Sequence, residues 1–512
     1  MSESRTIAGL LGELPRAELV AGDAGAVVSG IEHDSRRVSA GSLFLAVPGF
    51  TVDGHEYLHQ AVLRGAAAVV VQRDHGEAWR TLPAGAAIIA VDDTRLAMAR
   101  AAAWFHGHPG RELAVVGITG TDGKTTTSHL LTSVLEAAGA PTGRLGTVDV
   151  YMPGATGRVT DRMTTPESPE VQRLLREMVS AGCRFAIVES TSHGLALHRL
   201  DEVEYDTAVV TNITGDHLDF HKTFDAYRDA KALLFAALET SFDKGVPKTA
   251  IVNADDHSAA YMLSQALRAN HIRYGLAARE AEVTARNLVL RPDGTDFRLI
   301  TPAGHAEVSL QLPAIFNVMN ALAAASVGLA AGLDVRTIAR GLSDAPGVPG
   351  RMERIDAGQP FQVIVDYAHT GDAVRKVLEV LRGVTRGRLM IVVGAAGERD
   401  PGRRFGVGRA AAAGADFAVF TSEDPRSEDP AAIVAEIGRH AESAGRVRGK
   451  DFVEVEDRRE AIAEAFRRAS LGDVVVIAGK GHETSMVYGT VSVPWDDRDV
   501  AREELGKLGF GR

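Results

Sequence analysis

The sequence has almost no cysteine, no apolar run long enough to cross a membrane and no excess of positive charge. Cys183 is its only cysteine, so no disulfide can form within the chain, and we expect a reducing compartment. The longest apolar segment, 321–333, is interrupted by Ser326 and two glycines and is too short to span a bilayer. The opening residues M-S-E-S-R-T are not followed by the apolar core of a signal peptide. We therefore expect a cytoplasmic protein without stable membrane association.

Composition indicates a soluble chain of several domains. Lys plus Arg (56) are outnumbered by Asp plus Glu (67), and the net charge of −11 disfavours a nucleic-acid partner. A chain of 512 residues, 45% of them hydrophobic, is too long for a single core. We expect a monomer that binds no nucleic acid, with domains over residues 1–109, 110–342 and 343–512.

The stretch T-G-T-D-G-K-T-T lies between an apolar run, Leu113–Ile118, and a helix-like segment, Ser128–Ala138. This order of strand, glycine loop and helix predicts a phosphate-binding loop, because backbone N–H groups can surround phosphate oxygens at a helix N-terminus. Lys124 can reach the β- and γ-phosphates, and a threonine hydroxyl can ligate Mg²⁺. The spacing departs from the usual motif, because Ile118 stands where a glycine is normally found five residues before Gly123. The alternative is a glycine-rich turn capped by polar residues.

The first segment shows short strands and helices without a catalytic constellation. The patterns predict strands over Gly25–Ile31, Ser42–Val47 and Ala66–Gln72 and a helix over Tyr57–Gly65. The stretch Asp34–Gly49 is rich in hydroxyls and turn residues, as a loop that recognises a small molecule would be. A hairpin with solvated turns is the alternative.

The second segment alternates strands and helices, as a mostly parallel sheet requires. Apolar runs at Phe185–Val188 and Thr207–Thr211 are each followed by polar residues. Because the carboxyl ends of parallel strands share one edge, Glu189 and His217 can converge on the phosphate loop. Mg²⁺ prefers oxygen ligands, so residue type favours Glu189 as a ligand over His217, which could be structural or solvated.

Two further parts of the second segment contain candidate residues. Lys231 lies in an amphipathic helix, Ala226–Leu238, and the pattern alone predicts a lysine that extends to solvent. Asn317 and Asn320 precede an alanine-rich helix and could present amides to an adenine edge or cap the helix.

The third segment predicts a doubly wound α/β domain. Four apolar strands each end in a polar loop that contains glycine or proline, and helices lie between them. Arg351, Arg399 and Arg426 fall at these loops or at the preceding hinge. Because guanidinium groups bind carboxylate or phosphate in a bidentate manner, they indicate an anionic ligand.

These motifs together closely resemble the Mur ligases, the ATP-dependent amide-forming enzymes of peptidoglycan synthesis, and among them the UDP-N-acetylmuramoyl-tripeptide synthetase (MurE) branch. The resemblance covers nearly the whole chain. It includes D-S-R and G-S-L-F-L-A-V-P-G in the first domain, E-S-T-S-H-G-L, T-N-I-T-G-D-H-L-D-F-H and A-K-A-L-L-F in the second, and G-R-M-E, D-Y-A-H-T, G-E-R-D, D-P-R-S-E-D-P and A-G-K-G-H-E in the third. It implies an α/β fold of three domains, with a central P-loop ATPase-like parallel sheet and a Rossmann-like C-terminal domain. It also implies a role in cell-wall biogenesis, and so in cell shape and division.

The resemblance implies a role for each matched residue. ATP would be bound by Gly120, Thr121, Asp122, Gly123, Lys124, Thr125, Thr126, Asn317, Arg351 and Asp366. The substrate UDP-N-acetylmuramoyl-L-alanyl-D-glutamate would be bound by His33, Ser35, Phe50, Thr51, Val52, Thr164, Thr165, Thr191 and Arg199. The incoming amino acid would be bound by Arg399, Glu423, Asp424, Pro425, Arg426, Gly479 and Glu483. Magnesium would be held by Thr125, Glu189, His217 and Lys231, with Lys231 carbamylated to an N-carboxylate; Lys124, Lys231, Glu189 and His217 would be catalytic.

The resemblance also implies a mechanism. The substrate carboxylate attacks the γ-phosphate of ATP to form an acyl phosphate, which the amine of the incoming amino acid then attacks. Two anions meet in the first step, so Lys124, Mg²⁺ and backbone amides must offset their repulsion. Acyl phosphates hydrolyse readily, so we expect domain closure about a hinge near residues 341–350 to exclude water.

The identity of the added diamino acid depends on one loop. Members that add meso-2,6-diaminopimelate read D-N-P-R where this chain has Glu423, Asp424, Pro425 and Arg426. Arg426 can bind the distal carboxylate that diaminopimelate has and lysine lacks, and Glu483 suits the distal ammonium. Asp424 could instead neutralise Arg426, which would favour L-lysine or L-ornithine. We predict diaminopimelate.

Three other positions depart from the family pattern: Asp122 and Met163 each replace an asparagine, and Leu197 replaces a glutamine. Rival functions are a folate or cyanophycin-type ligase, a P-loop switch ATPase and a non-catalytic nucleotide-binding module. The D-S-R and L-F-L-A-V-P-G motifs disfavour the first, and the third domain's arginine and G-K-G-H-E loops would be idle in the second.

Overall fold

The computed structural model describes residues 5–50, 52–75, 79–154, 164–215, 218–291, 293–399 and 402–511. The density of internal contacts divides the chain into two units. The first comprises residues 1–284, 300–305 and 319–341, and the second comprises residues 285–299, 306–318 and 342–512. Among the described residues, no helix is both long and apolar enough to cross a membrane.

The first unit begins with a five-stranded sheet in the order β1-β5-β4-β3-β2. Its strands are β1 Glu18–Ala21, β2 Gly30–Glu32, β3 Ser42–Leu45, β4 Ala68–Gln72 and β5 Ala87–Val91, and its helices are α1 Ile7–Glu13, α2 Leu58–Leu63 and α3 Thr94–Phe105. β2 and β3 are parallel, with Gly30 opposite Ser42. The hairpin alternative for Asp34–Gly49 is therefore wrong, because a tight hairpin joins antiparallel strands only. The strand predicted over Gly25–Ile31 is also too long, since only β2 is formed there.

The same unit contains a seven-stranded sheet in the order β12-β11-β10-β6-β9-β7-β8. Its strands are β6 Ala114–Thr119, β7 Thr142–Leu145, β8 Val150–Tyr151, β9 Phe185–Glu189, β10 Thr207–Val210, β11 Thr249–Asn253 and β12 Asn270–Tyr274. The helices of this part are α4 Lys124–Ala137, α5 Ser168–Ser180, α6 Ser192–Ala196, α7 Leu218–His221, α8 Phe224–Ala237 and α9 Ala259–Ser264. β6 is parallel to β9 on one side and to β10 on the other. The carboxyl ends of these three strands therefore lie side by side, as the sequence predicts.

The next part of the chain is a three-stranded sheet followed by two helices. It consists of β13 Thr284–Arg291, β14 Gly294–Thr301 and β15 Gly304–Leu310, then α10 Ile315–Ala330 and α11 Val335–Asp344.

The second unit contains a six-stranded sheet in the order β16-β17-β21-β18-β19-β20 and a separate β22-β23 pair. Its strands are β16 Glu353–Ile355, β17 Gln362–Asp366, β18 Leu389–Val393, β19 Phe417–Phe420, β20 Phe452–Glu454, β21 Val474–Ala478, β22 Ser485–Tyr488 and β23 Val491–Pro494, and its helices are α12 Gly371–Arg382, α13 Gly402–Gly414, α14 Pro430–Ser443, α15 Arg458–Arg468 and α16 Asp497–Lys507. β17, β21, β18 and β19 are parallel neighbours, so their following loops share one edge.

Candidate active site

The phosphate loop connects the buried central strand β6 to helix α4. Gly120 and Gly123 have φ values of +147° and +87°, which favour glycine. A Cβ on Gly120 would lie 1.9 Å from the Thr211 hydroxyl oxygen, so the loop also needs glycine for space. Helix α4 begins at Lys124, earlier than the predicted Ser128, which places the helix N-terminus directly at the loop. This geometry presents backbone N–H groups and the positive helix end to an anion.

Hydrogen bonds with the loop after β10 hold the backbone of the phosphate loop in shape. The Thr121 N–H donates to Asn212 O at 2.8 Å, and the Asp122 N–H donates to Asn212 Oδ1 at 3.1 Å. The Thr211 hydroxyl donates to Asp122 O at 2.6 Å. The Asp122 side chain is exposed, so aspartate at this family-variant position leaves the loop backbone intact. Lys124 Nζ donates to the carbonyl oxygens of Gly120 and Thr121 at 2.8 and 3.0 Å.

Glu189 lies at the end of β9, next to the phosphate loop, as predicted. Its side chain is fully buried. It accepts hydrogen bonds from the hydroxyls of Thr125 at 3.0 Å, Ser128 at 3.2 Å and Thr147 at 2.9 Å. Within the described ranges, Glu189 forms no ion pair with lysine, arginine or histidine. A buried carboxylate needs a compensating charge, so this oxygen-rich group fits a divalent cation such as Mg²⁺.

Lys231 is buried, contrary to the prediction of a lysine that extends to solvent. Only 2% of the residue is exposed, and its Nζ donates to Gly120 O at 2.8 Å. It also lies 4.5 Å from the centre of the Tyr227 ring. The reason is visible on α8, where Lys231 shares a face with the buried residues Tyr227, Leu234 and Phe235. The side chain therefore ends at the phosphate loop and not in solvent.

Three predicted or variant positions, Thr51, Met163 and His217, lie outside the described residues. The placement of His217 beside Glu189 therefore stays a prediction, as does the contribution of Thr51 to the Phe50–Val52 loop.

Several predicted contacts to the UDP-linked substrate cluster beside Glu189. The Thr165 hydroxyl donates to Glu189 O at 3.0 Å and accepts from the Thr191 hydroxyl at 3.0 Å. Arg199 Nη1 donates to Thr165 O at 3.2 Å, and Thr164 Oγ1 lies 3.0 Å from Thr147 Oγ1. The structure therefore brings Thr164, Thr165, Thr191 and Arg199 into one group with the Glu189 carboxylate.

Glu167 is a member of this group that sequence reasoning did not select. It forms a 2.7 Å ion pair with Arg199 and lies 3.9 Å from Arg95 of the first sheet's helix α3. Glu167 lies only two residues after Thr165 in the sequence, and this spacing could have indicated that it belongs to the same group. His33 is exposed on the loop after β2, and partial desolvation by the surrounding protein lowers its pKa despite the nearby Glu167 carboxylate, so a neutral imidazole is favoured there.

The remaining predicted substrate residues lie in the first sheet's loops. The Ser35 hydroxyl is buried and donates to Gln60 Oε1 at 2.7 Å. Phe50 is 71% exposed and meets Phe220 edge to face at a centroid distance of 5.9 Å, and Val52 is also exposed. An exposed phenylalanine in a loop offers an apolar surface to a ligand.

A histidine cluster follows this loop directly. The Gln72 N–H donates to His55 Nε2 at 2.9 Å, which assigns the ring proton of a neutral His55 to Nδ1. That nitrogen lies 2.7 Å from Asp53 Oδ1 and 3.1 Å from His75 Nδ1. The three side chains could surround a metal ion, but the Nδ1 proton occupies the required position. The hydrogen bonds alone account for the cluster, which fixes the end of the Phe50–Val52 loop.

The predicted nucleotide contacts of the second unit surround the end of β17. Asp366 is buried and accepts from the N–H groups of Met352 and Ala368, both at 2.8 Å. Burial raises its pKa, with Arg351 acting in the opposite direction. Arg351 lies 4.6 Å from the Tyr367 ring centre. Asn317 lies within α10 and donates to Pro313 O at 2.7 Å, so it is not the N-cap.

The predicted amino-acid contacts of the second unit follow β18, β19 and β21. Asp424 does not pair with Arg426. Its Oδ1 accepts from Lys480 Nζ and from the Val487 N–H, both at 2.9 Å. Lys480 also forms an ion pair with Glu483. The Arg426 Nε is buried and has no hydrogen-bond partner among the described residues.

Two further charged residues complete this region. Glu423 is buried, and burial raises its pKa to about 7, although Arg458 and Lys480 act to lower it. A Cβ at Gly479 would lie 2.1 Å from Glu423 Oε2, so a side chain there would displace the Glu423 carboxyl, and the φ of +112° at Gly479 also favours glycine. Burial and then the Arg426 charge lower the pKa of Arg399, which indicates that the two guanidinium groups are neighbours. Neither arginine forms an ion pair with a carboxylate among the described residues, and adjacent arginines of this kind favour an anionic ligand.

Comparison with known proteins shows which family the chain belongs to. It matches the Mur ligase family, catalytic domain, over residues 27–106, the Mur ligase middle domain over residues 118–328 and the Mur ligase, glutamate ligase domain over residues 350–481. Fold, site and these matches define the class of protein: the chain belongs to the Mur ligase family.

Individual relatives narrow the comparison. The chain is 46% identical, over 94% of its length and 96% of the relative's, to a UDP-N-acetylmuramyl-tripeptide synthetase of Roseiflexus sp. (strain RS-1). It is 41% identical, over 98% of its length and 99% of the relative's, to a UDP-N-acetylmuramoyl-L-alanyl-D-glutamate–2,6-diaminopimelate ligase of Bacillus licheniformis. A solved structure of a ligase with the latter name matches with a TM-score of 0.70 and 29% identity over 99% of both chains. The predicted three-domain α/β fold and the predicted MurE-type ligase are confirmed.

Proposed function

We propose that this chain uses ATP to join meso-2,6-diaminopimelate to the D-glutamate carboxylate of UDP-N-acetylmuramoyl-L-alanyl-D-glutamate. The observation that supports the chemistry most directly is the convergence of Glu189 and Lys231 on the Gly120–Thr126 loop. A switch ATPase would not need the group of substrate-type side chains beside Glu189. The relatives' names support the substrates.

In the first step, a carboxylate oxygen of the substrate attacks the γ-phosphorus of ATP, and the bond to the β-phosphate oxygen breaks to release ADP. The loop amides, the α4 N-terminus and Lys124 bind the phosphates and stabilise the negative charge that gathers there. Mg²⁺, when bound, neutralises phosphate charge, and Thr125, Glu189, His217 and a carbamylated Lys231 would hold it. The Lys231 ammonium would lose one proton to give the amine, and addition of that amine to CO₂ with loss of a second proton would give the carbamate, so a buried cation would become an anionic oxygen ligand.

In the second step, the amine of diaminopimelate attacks the acyl carbon, and inorganic phosphate leaves as the amide forms. Arg426 and Arg399 would bind the distal carboxylate, and Glu483 would accept hydrogen bonds from the distal ammonium. Because Asp424 pairs with Lys480, its charge does not neutralise Arg426. This arrangement supports diaminopimelate over lysine, which lacks the distal carboxylate.

Arg426→Ala tests the assignment of the amino acid. We expect the KM for diaminopimelate to rise by about 30-fold or more, since a buried charged hydrogen bond is worth about 2 kcal/mol or more. The KM for ATP should change less than about threefold. Arg439→Ala, at an exposed position of α14, is the matched control. An unchanged KM for diaminopimelate would show that Arg426 does not bind it.

A further inference from the structure

Two loops of the second unit meet at one buried lysine. Lys480 is 1% exposed. Its Nζ lies 2.9 Å from Asp424 Oδ1, on the loop after β19, and pairs with Glu483, on its own loop after β21. Asp424 is further fixed by the Val487 N–H. Lys480 therefore connects the two segments that contain most of the predicted amino-acid contacts.

The loop after β19 is held in an unfavourable backbone conformation. Asp424 and Arg426 have φ values of +40° and +55°, which side chains other than glycine rarely adopt. The Gly397 N–H donates to Asp424 O at 3.0 Å, and the Arg426 N–H donates to Val487 O at 3.0 Å. Such conformations persist only where surrounding contacts enforce them, and they often occur at ligand sites. The Lys480–Asp424 ion pair adds a side-chain contact to these two backbone contacts.

The Lys480–Asp424 ion pair also determines whether the charge of Arg426 is neutralised. In the part of the chain that the structure describes, no carboxylate lies within ion-pair distance of Arg426, although Asp424 is only two residues away. Asp424 is instead one of two carboxylates that form ion pairs with the buried Lys480, the other being Glu483, and the Lys480 charge also acts on the nearby Glu423 carboxyl. A buried ammonium needs such partners, because removing one leaves an uncompensated charge.

We propose that Lys480 is a positioning residue for amino-acid selection. It holds the Asp424 carboxylate away from Arg426 and connects the loop after β19 to Glu483. The Arg426 guanidinium is then available to bind the distal carboxylate of the incoming diamino acid. The proposal rests on the proposed function. It explains how this chain can have aspartate where members of the family that add diaminopimelate have asparagine. The asparagine at this position in those members carries no charge that could compete for the arginine, and here Lys480 pairs with the carboxylate that could.

Lys480→Met tests the proposal in the full-length enzyme, with Lys450→Met at an exposed position of the same unit as the matched control. We expect the KM for diaminopimelate to rise about tenfold or more, with less than about threefold change in kcat and in the KM for ATP. The ratio of kcat/KM for diaminopimelate to that for L-lysine should fall by about tenfold or more, because the released Asp424 neutralises Arg426. Adding Asp424→Asn to Lys480→Met should restore part of that ratio, since it removes the competing carboxylate.

Three results would overturn the proposal. One is an unchanged ratio in Lys480→Met, and another is a double variant no more selective than Lys480→Met alone. The third needs no Lys480 variant: if Asp424→Asn alone raised the preference for diaminopimelate about tenfold or more, Asp424 would be neutralising Arg426 in the native protein. Failure of the proposed function is distinguishable, because the unsubstituted enzyme would then form no diaminopimelate-dependent product.

Discussion

Lys231 is the residue whose burial is hardest to explain without catalysis. A lysine on a helix normally extends to water, yet this side chain ends at the Gly120 carbonyl oxygen inside the protein. A carbamylated lysine at this position would supply an anionic oxygen ligand beside the triphosphate.

Lys231→Ala should reduce ligation by at least about 100-fold, because it removes a proposed metal ligand. Small carboxylates such as acetate should restore part of the activity by replacing the missing oxygen ligand. Product formation with and without added carboxylate measures both effects, and Leu233→Ala, at an exposed position of the same helix, is the control. Undiminished activity of Lys231→Ala in bicarbonate-free buffer would refute the carbamate role.

Glu423 predicts a pH dependence of stability. Its ordinary pKa of 4.5 is raised to about 7 by burial, so between these values the folded protein keeps a proton that the unfolded chain has lost. The free energy of unfolding should therefore fall as pH rises from about 4.5 to about 7, by up to about 3 kcal/mol. Glu423→Gln should remove this component of the dependence, and the exposed control Glu456→Gln should not. Denaturant unfolding at several pH values measures this pH dependence. The same dependence of the free energy of unfolding on pH in Glu423→Gln and in the unsubstituted protein would contradict a raised pKa of Glu423.

At the scale of elements, the strand–loop–helix unit formed by β6, the phosphate loop and α4 organises the first unit. The loop is shaped by glycines whose missing side chains leave space for Thr211 and Asn320. Both Lys124 and Lys231 donate to the Gly120 carbonyl oxygen, so the loop backbone also positions two proposed catalytic lysines.

Gly120→Ala should weaken ATP binding by about tenfold or more and lower stability by about 1–3 kcal/mol, because a Cβ there clashes with the Thr211 hydroxyl and the positive φ is strained. Gly139→Ala is the matched control, since its φ of +70° is also positive but its Cβ would meet no atom within 4 Å. Calorimetric titration with a non-hydrolysable ATP analogue and thermal unfolding measure the two effects. Equal losses in both variants would mean that backbone strain, and not the clash, determines the shape of the loop.

The sequence predicts strands better than it predicts side-chain environments. Continuous apolar runs followed by polar residues identify β6, β9 and β10 to within one residue, because parallel strands buried on both faces are mostly apolar. The location of Glu189 follows from that topology. The prediction that Lys231 extends to solvent is wrong, although its spacing of four residues from Tyr227 and from Phe235 places it on the apolar face of the helix. The Asp424–Lys480 pair could not be predicted, because 56 residues separate its members and their contact depends on how two loops are held.

At the scale of the whole molecule, the proposed functions are divided between the two units. The phosphate loop, the Glu189 carboxylate and the proposed contacts to the UDP-linked substrate belong to the first unit. The loops proposed to bind the incoming amino acid belong to the second. The domain boundaries at 109/110 and 342/343, and closure about the segment 341–350, stay predictions. A reaction that passes through an acyl phosphate needs both sets of groups, because the phosphate must be transferred before the amine can attack.

The most direct test of the account is ATP-dependent product formation with diaminopimelate, L-lysine and L-ornithine offered side by side to the full-length enzyme and UDP-N-acetylmuramoyl-L-alanyl-D-glutamate. The account predicts one ADP per tripeptide product and a kcat/KM for diaminopimelate at least about tenfold above those for lysine and ornithine. A preference for lysine or ornithine, or ATP hydrolysis without a ligated product, would contradict it.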